Sequence, residues 1–171
     1  MTPLKYLVPC EQAALEAILA VHRYKDPRNT TMLLMMLKTG ARPQELLTLT
    51  WADIDWISRT VFINTMKGGK PRVIPLAGIV YDRLQEWDWI GSKPDERLFK
   101  VSYSMFSQIW QTYRPVKKKL HSLRHTFAVN MYQRSKNLRL VQQALGHESL
   151  QTTQIYLEIA ASIDEMRGAI E

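Results

Sequence analysis

Only one cysteine, Cys10, occurs in the 171 residues. That excludes an intrachain disulfide and fits a reducing cytoplasm rather than a secreted, disulfide-stapled scaffold. No uninterrupted apolar run approaches the roughly 20 residues that span a bilayer. The opening stretch MTPLKYLVPCEQ holds no apolar core of the signal-peptide kind. Internal repeats and low-complexity segments are missing too, so neither a solenoid nor a disordered tract is expected. His121 and His125 stand at i, i+4, but no glutamate accompanies them in an H-E-x-x-H pattern and no carboxylate cluster lies near in sequence. A zinc site is therefore not expected, and His125 reads as a packing or hydrogen-bonding residue.

What is present is apolar content and positive charge. With 46% hydrophobic residues the chain is long enough for one well-cored domain. Its 23 Lys+Arg outnumber 16 Asp+Glu, giving a formal net charge of +7 and a pI of about 9.6. Nucleic-acid binders fall in this range, as do basic domains that never touch nucleic acid.

Periodicity predicts an α+β fold, mainly α-helical, with a small three-stranded antiparallel sheet and a single domain over residues 1–171. After an extended lead-in, Pro9 and Cys10–His22 read as a helix with an apolar stripe. Asp26–Asn29 reads as a turn, and Thr30 or Thr31 as the cap of a helix through Met32–Lys38 that stops at Gly40. Its run MLLMML marks it as the most buried helix. Pro43 begins a short helix and leaves Arg42 at its mouth, where backbone N–H groups favour an anion; pairing with Glu45 is the other reading of that arginine.

Between residues 50 and 76 the period changes to two. Trp51–Arg59, Thr60–Thr65 and Pro71–Leu76 are expected as strands, with Lys67-Gly-Gly-Lys70 as the tip between the last two. Ala77–Trp89 reads as a helix with Ile79, Val80, Leu84 and Trp87 inward. Ser102 or Ser104 caps a helix through Tyr113. Lys117, Lys118 and Lys119 form a basic loop running into a helix over His121–Arg134. Leu138–Leu145, ended by Gly146, leaves His147 just beyond a helix C-terminus. Ser149 or Thr152 starts a helix carrying Tyr156, and residues 160–171 form a last short helix or tail.

The stretch from His121 to Tyr156 concentrates the chemistry. His121 and Arg124 lie three apart, on one helix face, and Tyr156 follows His147 by nine positions. Arginines grip non-bridging phosphate oxygens, histidines move protons near neutral pH, and a tyrosine hydroxyl can be a covalent nucleophile. A phosphodiester suits this set. Each residue alone is ordinary.

Taken in order, they are not. TGARPQELLTLTWADID with Arg42, MKGGKPRVIPL with Lys67, HSLRHTFA with His121 and Arg124, and LGHESLQTTQIY with His147 and Tyr156 resemble the catalytic domain of the tyrosine recombinases, or phage integrase family. The likeness runs over roughly residues 8–160.

The resemblance implies a site-specific recombinase of integrase, invertase or resolvase type, of the kind mobile genetic elements carry. Tyr156 attacks a DNA phosphate and forms a 3′-phosphotyrosine. His121 accepts its proton, Arg42 and Arg124 clamp the phosphate, and His147 adds a donor. Lys67, with Lys70 as the alternative, protonates the leaving 5′-oxygen. Lys70, Arg72, Lys117, Lys118 and Lys119 are the expected DNA-backbone contacts. No cofactor, metal or ATP is implied.

Double-stranded DNA is the implied partner. The protein is expected as a monomer in solution and a homotetramer on paired sites, in the cytoplasm of a bacterial, phage or plasmid host, without a membrane. Residues 160–171 resemble a tail that docks on a neighbouring subunit. Family members commonly carry a further histidine after the tyrosine, whereas Leu157 and Glu158 stand here. Most also carry an N-terminal DNA-binding domain, which this chain is read as lacking, either as a fragment or as a naturally short recombinase. Two rivals share the pattern: a type IB topoisomerase, and a non-catalytic DNA-binding regulator. The target sequence, the outcome of recombination and the cis or trans placement of Tyr156 stay open.

Overall fold

Every residue from Thr30 to Leu37 is buried, and the rest of the chain is arranged around that helix. The computed structural model describes residues 4–65, 68–87, 92–147 and 168–170. Within them the order is α1 (Pro9–Val21), α2 (Pro27–Thr39), α3 (Pro43–Thr48), a 3-10 turn (Trp51–Asp53), β1 (Ile54–Asp55), β2 (Thr60–Ile63), β3 (Arg72–Pro75), α4 (Gly78–Glu86), α5 (Tyr103–Tyr113), α6 (Ser122–Ser135) and α7 (Leu138–Leu145). Helix α2 packs against α1, α3, α4 and α6. A helix apolar on all sides needs such company, and each fully buried leucine there contributes about 2 kcal/mol of transfer free energy.

Helix α2 starts earlier than its sequence suggests. Pro27 takes the first position, where its missing N–H costs nothing. The Thr30 hydroxyl donates back to the Asp26 carbonyl at 3.0 Å, inside the helix, rather than capping it. The helix closes at Gly40, whose φ of 65° is left-handed.

The sheet has order β1-β2-β3, antiparallel throughout. Val61 faces Ile54 on one side and Ile74 on the other, and all three are buried. The alternate pair, Phe62 and Val73, faces outward. The first strand is far shorter than the expected Trp51–Arg59. Asp53 accepts from the Thr50 N–H at 2.7 Å, and the Asp55 carboxylate accepts from the N–H groups of Ile57 and Ser58 at 2.9 and 3.0 Å. These local bonds compete with the ladder for the backbone.

Helix α4 ends at Glu86, and the expected inward Ile79 is 49% exposed. Tyr81 and Arg83 take the inner positions instead. Ser102 caps α5, accepting from Met105 N at 3.1 Å, and Asn137 caps α7, accepting from Leu140 N at 3.1 Å. The lead-in is tied across α6 by Leu7 N–H donating to the Thr126 hydroxyl at 2.8 Å. Among the described residues no helix is long and apolar enough to cross a membrane.

Candidate active site

Among the described residues, Arg124 is the deepest of the expected site residues. It sits in the first turn of α6, 4% exposed, because Leu123, Phe127 and Ala128 draw that face into the core. Its guanidinium donates to the Gly40 carbonyl at 2.5 Å and the Leu145 carbonyl at 2.7 Å. Both acceptors lie at helix C-termini, where carbonyls lack intrahelical partners and attract cations. Burial, then the charges of Arg42 and Arg72, push the Arg124 pKa down to about 9, which leaves it cationic at neutral pH. Gly40 makes this seat possible. A Cβ there would lie 2.3 Å from Cδ1 of Phe127.

One carboxylate organises the other guanidiniums. Glu45, 2% exposed, stands at the third position of α3. Its Oε1 accepts from Arg42 Nη1 at 3.0 Å and Arg72 Nη1 at 3.2 Å. Its Oε2 accepts from the Arg42 backbone N–H at 2.8 Å and Arg72 Nη2 at 2.8 Å. Arg124 Nη1 lies 4.0 Å from the same Oε2. Burial alone would raise this carboxyl. The hydrogen bonds from Arg72 and the Arg42 N–H, with the charges of Arg72 and Arg124, outweigh burial and hold it below the ordinary carboxylate range. Both readings of Arg42 thus meet. It caps α3 and pairs with Glu45, yet its side chain stays 28% exposed, with room to reach an anion.

The two histidines flank this cluster. His121 precedes α6. Partial desolvation, then the charges of Arg124 and Arg42, lower its pKa from the ordinary 6.5, so it is neutral at pH 7. His147 follows Gly146, whose φ of 65° ends α7. Its Nε2 lies 2.8 Å from Arg124 Nη2. Arginine only donates, so Nε2 accepts and the proton rests on Nδ1. Desolvation, then Arg124, Arg42 and Arg72, push the His147 pKa down to about 4. His125 is pushed down to about 4 as well, by desolvation and then by His121 and Arg124.

The structure therefore brings Arg42, His121, Arg124 and His147 into one electrostatic cluster. Lys67, Tyr156 and the helix expected from Ser149 or Thr152 lie outside the described residues, as does most of the 160–171 tail. The described residues on either side of Lys67 are tied to the residue before His147 and to each other. Lys70 N–H donates to the Gly146 carbonyl at 3.0 Å. Thr65 Oγ1 donates to the Gly69 carbonyl at 2.9 Å.

Two expected DNA contacts are corrected. Arg72 is 7% exposed, its guanidinium bound to Glu45 and, through Nε, to the Ala144 carbonyl at 2.7 Å. Buried and turned to Glu45 and Ala144, it is withdrawn from the surface where a phosphate backbone would lie. Lys118 is half-buried and donates to the Tyr6 carbonyl at 2.7 Å and to Glu11 at 2.5 Å, so it pins the lead-in. Lys70, Lys117 and Lys119 are exposed. Lys119 lines a cavity of about 370 Å³ beside His121, with Tyr103, Trp110 and Arg114. Among the described residues no group of three or more histidine, cysteine or acidic side chains is placed to hold a metal. Glu45 is the site residue that sequence reasoning underrated; its signal was glutamate three places after Arg42, the spacing of an N-terminal capping pair.

A family model described as the phage integrase family matches residues 10–162, and the chain belongs to that family. A curated relative, a tyrosine recombinase of Pseudothermotoga lettingae, is 34% identical over 145 residues, covering 79% of this chain and 51% of the relative. The chain spans about half the length of the curated relatives it matches. The catalytic domain of bacteriophage HP1 integrase superposes with a TM-score of 0.69 at 26% identity, over 95% of this chain and 92% of that one. The XerH site-specific recombinase, in a post-cleavage complex with a palindromic difH substrate, superposes with a TM-score of 0.73 at 27% identity, over 98% of this chain and 54% of that one. The helix-rich fold with its three-stranded sheet is that of a tyrosine recombinase catalytic domain.

Proposed function

We propose that this chain is the catalytic domain of a site-specific DNA recombinase that cuts and rejoins duplex DNA through a 3′-phosphotyrosine. The observation that carries the reading is the convergence of Arg42, Arg124, His121 and His147 around one buried carboxylate. Arg42 and Arg124 take the non-bridging oxygens of the scissile phosphate and stabilise the charge that grows on them. Tyr156 supplies the nucleophile. Free tyrosine titrates near pH 10, so it needs a base, and His121, held neutral, accepts its proton. The bond from the tyrosine oxygen to phosphorus forms as the bond to the 5′-oxygen breaks. Lys67 gives the leaving oxygen its proton, and His147 donates to the same phosphate through a ring N–H.

Two guanidiniums supply the charge that a divalent ion supplies in other phosphoryl-transfer sites, so the reaction runs without metal or ATP. The covalent link stores the bond energy for resealing. The DNA-bound state of a similar recombinase supports double-stranded DNA as the substrate. We assign Lys70, Lys117 and Lys119 to its backbone. By the same reading the protein works in the cytoplasm, as a tetramer on paired sites, with the segment after residue 160 docking on a neighbouring subunit. A groove of about 760 Å³ between β3, α6 and α7, with Val73 and Leu140 exposed in its wall, offers such a segment an apolar seat.

The test is a nicked suicide duplex carrying the target site, or supercoiled plasmid where the site is unknown, incubated in EDTA. The wild-type chain is expected to give an SDS-resistant protein–DNA adduct, and Tyr156→Phe none. Absence of the adduct with DNA binding intact would point to a non-catalytic regulator. Plasmid relaxed by a lone subunit, without strand exchange, would point to a topoisomerase.

A further inference from the structure

Arg72 joins three elements that carry different parts of the site. Its Nη1 and Nη2 each bind one oxygen of Glu45 on α3, and its Nε binds the Ala144 carbonyl at the end of α7. It belongs to β3, the strand that follows the Lys67 hairpin tip. The fit is close: a Cβ at Gly146 would lie 2.9 Å from Arg72 Nη1 and 2.7 Å from the Lys70 carbonyl. One buried guanidinium thus sets the spacing between the helix behind Arg42, the strand after Lys67, and the end of α7 that precedes His147.

Its electrostatic role is sharper. Glu45 is an anion beside two guanidiniums that have to hold another anion, the substrate phosphate. Left to itself, the carboxylate would turn fully to Arg42 and to Arg124, which already lies 4.0 Å away, and would compete with the phosphate for both. Arg72 takes up both carboxylate oxygens side-on and so leaves two positive charges in excess at the site. We propose that Arg72 is a positioning residue that occupies Glu45, keeping Arg42 and Arg124 available to the scissile phosphate while it locks the hairpin and the end of α7 to α3. The proposal rests on the recombinase reading above.

The experiment is single-turnover cleavage of the suicide duplex at saturating protein, with DNA affinity measured in parallel. Arg72→Met is expected to slow cleavage by about 100-fold. It should change the dissociation constant by no more than about threefold, because the duplex is held by many surface phosphate contacts. Adding Glu45→Gln on top removes the competing anion at nearly unchanged shape. The double variant Arg72→Met/Glu45→Gln is expected to cleave about tenfold faster than Arg72→Met alone. A purely structural tie would give no such recovery, since the bond to Ala144 is lost in both.

Arg72→Lys keeps the charge but cannot span two carboxylate oxygens and a carbonyl together; it is expected between wild type and Arg72→Met. Thermal melts identify the folded variants. If Arg72→Met does not fold, Arg72→Lys and the double variant carry the comparison, and the double variant must then cleave at least as fast as Arg72→Lys. Cleavage by Arg72→Met at the wild-type rate, or a folded double variant no faster than the single one, would overturn the proposal. A wild-type chain that forms no adduct would remove the recombinase reading, and this proposal with it.

Discussion

Gly40 ends α2 at a left-handed φ of 65° and presents its carbonyl to Arg124. Gly40→Ala brings both backbone strain and a clash with Phe127. It is expected to cost about 2 kcal/mol or more in urea unfolding and to weaken cleavage by displacing Arg124. Protonation acts on the same seat. His125 and His147 are pushed from the ordinary 6.5 down to about 4, so the unfolded chain binds more protons between those values. Stability is fully present above pH 6.5 and falls as pH drops toward 4. Allowing for partial exposure, the loss from pH 7 to pH 5 is expected to be about 2 kcal/mol for the pair. Urea midpoints at the two pH values measure it, and His125→Gln should remove about half. Glu45 and Glu16 contribute little in that window, since both are held below 4.5. Arg42, His121, Arg124 and His147 were legible in the sequence because their order along the chain resembles the phage integrase family, each being ordinary alone. Glu45's full role and Arg72's burial were not, because a strand arginine looks the same in sequence whether it faces solvent or a carboxylate 27 positions away.

Helix α2 shows what periodicity reads well. Its unbroken apolar run announced burial on every side, and Leu33 is fully buried. Leu33→Ala is expected to lower stability by about 2–5 kcal/mol in urea melts, with the spread set by how far the neighbours collapse. The same logic placed α1, α5, α6 and α7 closely, helped by Pro9, Ser102 and Gly146 at their ends. It failed at β1, where aspartate side chains captured the backbone that the apolar pattern had assigned to a strand. It also failed at the start of α2, where Asp26-Pro27 begins the helix and is not part of a turn. On α4, Ile79 faces outward and Arg83 inward, where it donates to the Leu19 carbonyl at 3.2 Å. A buried arginine that reaches a carbonyl near a helix C-terminus is something no hydrophobic pattern reports.

At the scale of the whole molecule, a net charge of +7 predicts DNA affinity that falls steeply with salt. Lys119→Ala removes an exposed charge beside His121 and should lower the slope of log affinity against log salt by about 1. Lys118→Ala should instead loosen the lead-in, which it holds through Tyr6 and Glu11. On the proposed function, these charges serve a covalent reaction at Tyr156. The most direct measurement is mass spectrometry of the adduct formed on a suicide duplex after digestion with protease and nuclease. A single nucleotide-bearing peptide is expected, modified on Tyr156 and joined to a 3′-phosphate. Linkage to another residue, or through a 5′-phosphate, would contradict the proposed function.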